Sequence, residues 1–204
     1  MRQQKTGNKV KKDIILSGVG GQGILSIATV IGWAALKEDL HLKQAEVHGM
    51  SQRGGDVQSN LRISSEHIFS DLIPKGECDI ILSLEPMEAM RYLPWLSRRG
   101  WIVTNTTPFV NIPNYPPMED LMLRLEVLPN VITLDCDSIA RETGSPRSSN
   151  MVLLGASAAV MDIIAPDRLR EGITAIFARK GDAIVKSNIA AFNAGLEMSK
   201  SIKK

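Results

Sequence analysis

Asp13-Ile-Ile-Leu-Ser-Gly-Val-Gly-Gly-Gln-Gly-Ile-Leu25 decides how this chain is read. A short apolar run, a glycine-rich turn and an apolar helical stretch follow one another without a gap. The order strand, turn, helix places backbone N–H groups at the positive end of a helix dipole, where a phosphate, a carboxylate or another backbone can approach. Gly18, Gly20 and Gly23 have the spacing G-x-G-x-x-G, with Gly21 and Gln22 between them, which raises a dinucleotide site as the first expectation. The same glycines equally suit a tight strand–helix contact with no ligand.

Working outward, apolar runs alternate with helical patterns. Ile14 to Ser17 reads as a buried strand and Gln22 to Lys37 as a helix whose apolar residues cover most of its circumference. Such a helix needs cover on more than one side, from the sheet and from a partner subunit. Val57, Ser59, Leu61 and Ile63 alternate with Gln58, Asn60 and Arg62, the signature of a half-exposed strand, antiparallel or at an edge. Asp79 to Leu84, Trp101 to Asn105 and Val131 to Leu134 read as further strands. Pro86 suits the first turn of a helix running towards Arg98 with a kink at Pro94, and Asp137 suits the cap of a helix from Ser138 to Thr143. The prolines at 108, 113, 116 and 117 make Thr106 to Pro117 an irregular excursion, before a helix from Glu119 to Leu128. After Asn150 the pattern is helical throughout: Met151 to Ile164, Pro166 to Arg179 and Asp182 to about Ile202.

The expected fold is α/β: a Rossmann-like, open, mostly parallel sheet flanked by helices, with a C-terminal helical layer. Residues 1–12 read as a flexible basic leader, since Arg2, Lys5, Lys9, Lys11 and Lys12 have no acid among them. Residues 13–204 read as one domain, with the sheet in 13–150 and helices in 151–204. At 44% hydrophobic, 23% charged and net +2, the composition supports one buried core and points to neither nucleic acid nor an anionic membrane. The longest apolar stretch, Met151 to Ala165, is too short to cross a bilayer and contains Asp162. With a polar leader, the expected location is the cytoplasm. Two distant cysteines, Cys78 and Cys136, make neither a disulfide framework nor a four-cysteine cluster, so no metal is expected on this chain.

A second constellation competes with the dinucleotide reading. A dinucleotide fold ends its second strand with an acid about 20 residues after the glycines. Glu46 stands near that place, but Val47-His48-Gly49-Met50-Ser51-Gln52-Arg53-Gly54-Gly55 follows it, a dense polar loop where a second helix would begin. Arg53 offers a forked contact to a carboxylate or phosphate, or else a structural bond to Glu46 or a loop carbonyl. His48 is the candidate acid–base group, its plainer role being a hydrogen-bonded loop histidine.

Gly18-Val-Gly-Gly-Gln-Gly23 together with Ala45-Glu-Val-His-Gly-Met-Ser-Gln-Arg-Gly-Gly55 resembles the gamma-type domain of 2-oxoacid:ferredoxin oxidoreductases, and within it the small-subunit branch of the indolepyruvate enzymes. Leu84-Glu-Pro-Met-Glu-Ala-Met-Arg91, Val103-Thr-Asn-Thr106, Asn150-Met-Val-Leu-Leu-Gly-Ala156 and Asn188-Ile-Ala-Ala-Phe-Asn-Ala-Gly195 extend the likeness. The resemblance implies a subunit inactive alone. A large partner would hold thiamine diphosphate and iron–sulfur clusters, coenzyme A would accept the acyl group, and ferredoxin would take the electrons. It also implies that Gly18, Gly20, Gly21, Gln22, Gly23, Glu46, His48, Gly49, Ser51, Gln52, Arg53, Gly54 and Gly55 lie on loops facing substrate or cofactor. Alternatives are a pyruvate, ketoisovalerate or 2-oxoglutarate gamma subunit, a stand-alone nucleotide-binding dehydrogenase, and a scaffold without chemistry. Isolated from its partner, the chain is expected to form a homodimer.

Overall fold

A computed structural model describes residues 9–48 and 55–202. Six strands form one sheet in the order β2-β3-β1-β4-β5-β6. They are β1 Lys11–Val19, β2 His41–His48, β3 Asp56–Ser64, β4 Cys78–Ser83, β5 Leu96–Asn105 and β6 Val131–Leu134. The helices are α1 Ile24–Lys37, α2 Pro86–Arg91, α3 Met118–Glu126, α4 Cys136–Glu142, α5 Ser149–Met161, α6 Pro166–Phe177 and α7 Asp182–Ile202. β1, β4, β5 and β6 pair in parallel, and β3 alone runs against its neighbours. The sheet is thus α/β and mostly parallel.

Alternation along the strands sorts the core into two layers. Ile14, Leu16, Leu61, Ile80, Leu82 and Val103 face a large core closed by α1, α4, α5, α6 and α7. Ile15, Ile81 and Ile102 face a smaller core closed by α2 and α3. Burial on both faces explains why the parallel strands read as continuous apolar runs, as parallel strands between helical layers must.

The alternating strand β3 is antiparallel, but it is not at an edge. It lies between β1 and β2, with Leu16 and Glu46 both opposite Ser59. Its Leu61 and Ile63 side chains are fully buried. The edge belongs to β2, whose Glu46 and Val47 are exposed.

Three local expectations are corrected. The helix from Pro86 stops at Arg91, because Leu93–Trp95 forms a 3-10 turn around Pro94 and β5 begins at Leu96. The proline there ends the helix rather than kinking it, since its ring cannot accept the preceding turn. The cap of α4 is Asp135, not Asp137: its carboxylate accepts the Ser138 N–H at 2.8 Å and the Ser138 hydroxyl at 2.7 Å. Those two bonds hold its carboxyl below the usual range.

The third correction concerns cover. Helix α1 is enclosed within the chain, by the sheet and by α5 and α6, leaving Leu25 and Leu36 as its exposed apolar side chains. The small residues of α5 also serve an internal contact. A Cβ on Gly155 would stand 1.9 Å from the Phe192 carbonyl oxygen, and one on Gly195 would stand 1.9 Å from that of Val152. Helices α5 and α7 therefore cross backbone to backbone. Phe192 is buried in the large core, and Asn188 accepts the Ser148 hydroxyl at 2.8 Å, so the last helix docks chiefly on α5.

Candidate functional site

Four parallel strands end along one rim, and the glycine-rich turn follows the first of them. Gln22 N–H donates to Val19 O at 3.1 Å, closing a four-residue turn whose third residue, Gly21, has φ +103°. A type II turn requires a positive φ there, which glycine adopts without strain. Gly23, at φ +87°, starts α1 without any side-chain cap, leaving the N–H groups of Ile24 and Leu25 uncapped, while its carbonyl accepts Ser26 N–H at 3.1 Å. Gly18 leaves room for Gln22, since a Cβ there would stand 2.8 Å from Gln22 Oε1.

The Gln22 side chain fastens the turn. Its Oε1 accepts Val19 N–H at 2.7 Å and its Nε2 donates to Leu84 O at 3.1 Å. Asn105 Nδ2 reaches the same carbonyl at 3.4 Å and Asp137 Oδ2 at 3.0 Å, while Asn105 Oδ1 accepts Cys136 N–H at 3.0 Å. Ser149 Oγ donates to the other oxygen of Asp137. A polar seam thus runs from β1 across the ends of β4 and β5 to the start of α5. Asn150 completes it, donating to Gly23 O at 3.2 Å.

Three clefts meet at the exposed Gly21. One, about 310 Å³, lies over the seam between Gln22, Asn105, Asp137 and Arg147. A second, about 300 Å³, is walled by Val19, Ile24, Leu25 and Val57. The third, about 390 Å³, opens between the turn, Arg147, Lys180 and α7.

The predicted second loop meets the turn at its described ends. Gly20 N–H donates to Gly55 O at 2.9 Å, and the His48 backbone is paired with Val57, itself opposite Gly18. Gly49, Ser51, Gln52, Arg53 and Gly54 lie outside the described residues. Glu46 is exposed on β2, where Gln44 Nε2 donates to it. The interposed β3 puts β2 roughly 9–10 Å from β1, two interstrand spacings. A dinucleotide fold places that second strand directly beside the first, so Glu46 does not occupy the ribose-binding position of that fold.

The clefts also hold residues that the sequence reading did not name as site candidates: Arg147 and Lys180, and Asn105 and Asn150, which stood only among the segments of the family likeness. Asn105 stands at the end of an apolar strand run, a legible signal. Arg147 lies in the polar segment Gly144-Ser-Pro-Arg-Ser-Ser-Asn150, which reads as a plain connection before a helix. Beside the rim, Glu85 is fully buried; its Oε2 accepts Glu88 N–H at 2.8 Å and its Oε1 accepts the Tyr115 hydroxyl. Desolvation, then this carboxylate, pushes the Tyr115 phenol well up. The Thr106 to Pro117 excursion is thereby tied to the start of α2.

Residues 13–198 match the family model described as pyruvate ferredoxin/flavodoxin oxidoreductase. An indolepyruvate oxidoreductase subunit of Pyrococcus horikoshii is 33% identical over 93% of this chain and 96% of its own length. Another of that name, from Methanothermobacter thermautotrophicus, is 41% identical over 72% of this chain and 78% of its own. Among solved structures, a 2-oxoglutarate:ferredoxin oxidoreductase of Magnetococcus marinus with 2-oxoglutarate, coenzyme A and succinyl-CoA bound has the same fold. Its TM-score is 0.74 at 22% identity, covering 94% of this chain but 31% of that longer one. The keto/oxoacid ferredoxin oxidoreductase gamma subunit of Geobacter sulfurreducens PCA is matched over 93% of this chain and 99% of its own, with TM-score 0.67 and 23% identity. On the family match and the identity along nearly the whole chain, this protein belongs to the pyruvate ferredoxin/flavodoxin oxidoreductase family.

Proposed function

We propose that this chain is the small subunit of a 2-oxoacid:ferredoxin oxidoreductase acting on indolepyruvate or a related arylpyruvate, inactive without its larger partner. The observation that carries this reading is the identity of 33–41% to indolepyruvate oxidoreductase subunits, against 26% to a 2-oxoglutarate synthase subunit. On this reading the partner holds thiamine diphosphate, which supplies the carbanion chemistry, together with the iron–sulfur clusters. The thiols of this chain suit that division. Cys78 and Cys136 lie in the two separate cores, on opposite faces of the sheet, and burial raises both above the ordinary thiol value.

The rim of the sheet is the wall that this subunit presents to the chamber. Its open α1 N–H groups offer donors to an anionic group of substrate or coenzyme A, and Gln22 and Asn105 hold those donors in place. Arg53 and His48 belong to the same wall, Arg53 as an anion contact and His48 as a donor or acid–base group. Gly18, Gly20, Gly21 and Gly23 allow the close approach. Gly49, Ser51, Gln52, Gly54 and Gly55 carry the second loop past it, with Glu46 at its root.

Copurification with the partner and an arylpyruvate- and coenzyme A-dependent viologen reduction assay test the assignment. Turnover is expected from the pair and from neither chain alone; a pair inert towards every arylpyruvate refutes it. In that assay, Arg53→Ala is expected to raise the KM for coenzyme A or for the oxoacid, and unchanged values for both remove Arg53 from the site.

A further inference from the structure

We propose that residues 106–117 form a latched strap whose release is transmitted to the turn at 19–22 through Leu84 and Glu85. The strap is held by hydrogen bonds and not by buried side chains. No residue from 106 to 117 is buried, and Phe109, Val110 and Ile112 are exposed apolar side chains. Pro108, Pro113, Pro116 and Pro117 have no N–H to donate. A segment with so little burial opens at a lower free energy than the core beneath it.

Glu85 is the latch. Its carboxylate is fully buried, and Oε1 accepts both Phe109 N–H, at 3.4 Å, and the Tyr115 hydroxyl. The other oxygen, Oε2, takes Glu88 N–H at 2.8 Å. When the strap lifts, both donors to Oε1 leave together, and a buried carboxylate meets that loss only by reaching water. The strap thus has two states: latched, with Glu85 satisfied inside, and open, with Glu85 solvated.

Two routes join this latch to the rim, and both end on the Leu84 carbonyl. That carbonyl accepts Gln22 Nε2 at 3.1 Å and Asn105 Nδ2 at 3.4 Å. In the first route Asn105 Oδ1 accepts Thr107 N–H at 3.3 Å, at the root of the strap. In the second, the carbonyl lies in the planar peptide that carries the Glu85 N–H, so any tilt of the Glu85 backbone turns it relative to both donors. At its far end Gln22 fastens the turn, its Oε1 accepting Val19 N–H at 2.7 Å. Coupling of this kind is reciprocal: what frees the strap frees the turn, and the reverse. It belongs to this chain alone and does not rest on the choice of oxoacid or partner.

Hydrogen exchange of the full chain, read by mass spectrometry, tests the coupling. Tyr115→Phe removes the hydroxyl and keeps the ring. Glu85→Gln keeps an acceptor in place but removes the charge that strengthens both bonds. Each is expected to speed amide exchange within 106–117 and also within 18–24, by roughly fivefold, the loss of about one hydrogen bond. Peptides from α7 report global unfolding and should change less. Gln22→Ala is the reverse probe. It frees Leu84 O from the turn side and is expected to speed exchange at Thr107 and Phe109 by a similar factor. Faster exchange in the strap with 18–24 unchanged, in both latch variants, makes the latch a local tie and overturns the proposal. So does a strap that exchanges at the parent rate in both latch variants or in Gln22→Ala, or acceleration at 18–24 no greater than in α7.

Discussion

Gly155→Ala tests the packing that sets the candidate site. The added Cβ would stand 1.9 Å from Phe192 O and 3.0 Å from Leu196 N, both backbone atoms of α7. No rotamer relieves that, so the helices must separate by at least 1.1 Å to bring the oxygen contact to 3.0 Å. Overpacking of a rigid contact costs about 3 kcal/mol. Alanine in a helix interior returns about 1 kcal/mol relative to glycine. The net loss is about 2 kcal/mol, or ~4–8 °C in Tm for a chain of this size. Gly32→Ala is the control: it gains the same helical propensity, yet its Cβ meets only the Leu42 Cδ2 methyl at 3.0 Å, the end of a flexible side chain. It should unfold within about 1 kcal/mol of the parent, on either side. Thermal and urea unfolding followed by circular dichroism measure both. A Gly155→Ala protein as stable as Gly32→Ala would refute the backbone-to-backbone crossing.

Three further outcomes follow from buried polar groups. Asp13 is fully buried and accepts Arg62 through both carboxylate oxygens, at 2.9 and 3.0 Å, while Arg62 Nη1 also holds Ser70 O and Leu72 O. Asp13→Asn should therefore cost about 3 kcal/mol in urea unfolding and make residues 65–77 more sensitive to limited proteolysis. Burial pushes the Cys78 thiol from 9.0 up to about 12. The folded chain keeps that proton while the unfolded chain releases it, so this stabilisation is whole below pH 9 and is lost as pH rises towards 12. Both thiols should resist a disulfide reagent at pH 8 in the folded chain and react fully in denaturant; rapid labelling of the native chain would contradict their burial. Tyr115→Phe removes a hydroxyl donor from buried Glu85, so unfolding should cost about 1–2 kcal/mol less and cleavage within 106–117 should accelerate, with unchanged cleavage disproving the tie.

Much of the fold was legible in local pattern. The apolar run before Gly18, the turn, and the helix after Gly23 are where the spacing put them, because turn conformation and helical period depend on near neighbours. Val131–Leu134 and the helices from Pro166 and Asp182 were equally plain. Where two local signals competed, the boundary moved: Pro94 and the strand that begins at Leu96 ended a helix that the apolar spacing alone would have continued to Arg98. The family likeness was legible too, since it rests on the residues of the two glycine-rich loops and not on their arrangement.

Strand order was decided only in three dimensions. Nothing in Val57-Gln-Ser-Asn-Leu-Arg-Ile63 says that it inserts between β1 and β2, because that choice is made by pairing across distant parts of the chain, and it is what moves Glu46 away from the glycine turn. The contact of Gly155 with Phe192 and the meeting of Arg147, Lys180 and Asn188 at Gly21 likewise join residues separated by tens of positions. The sequence by itself determined most of the elements, β2 excepted, their two-sided burial and the kinship of the chain. Tertiary packing alone determined which polar side chains share a cleft, because charge and hydrogen-bond complementarity there depend on distances that no sequence period encodes.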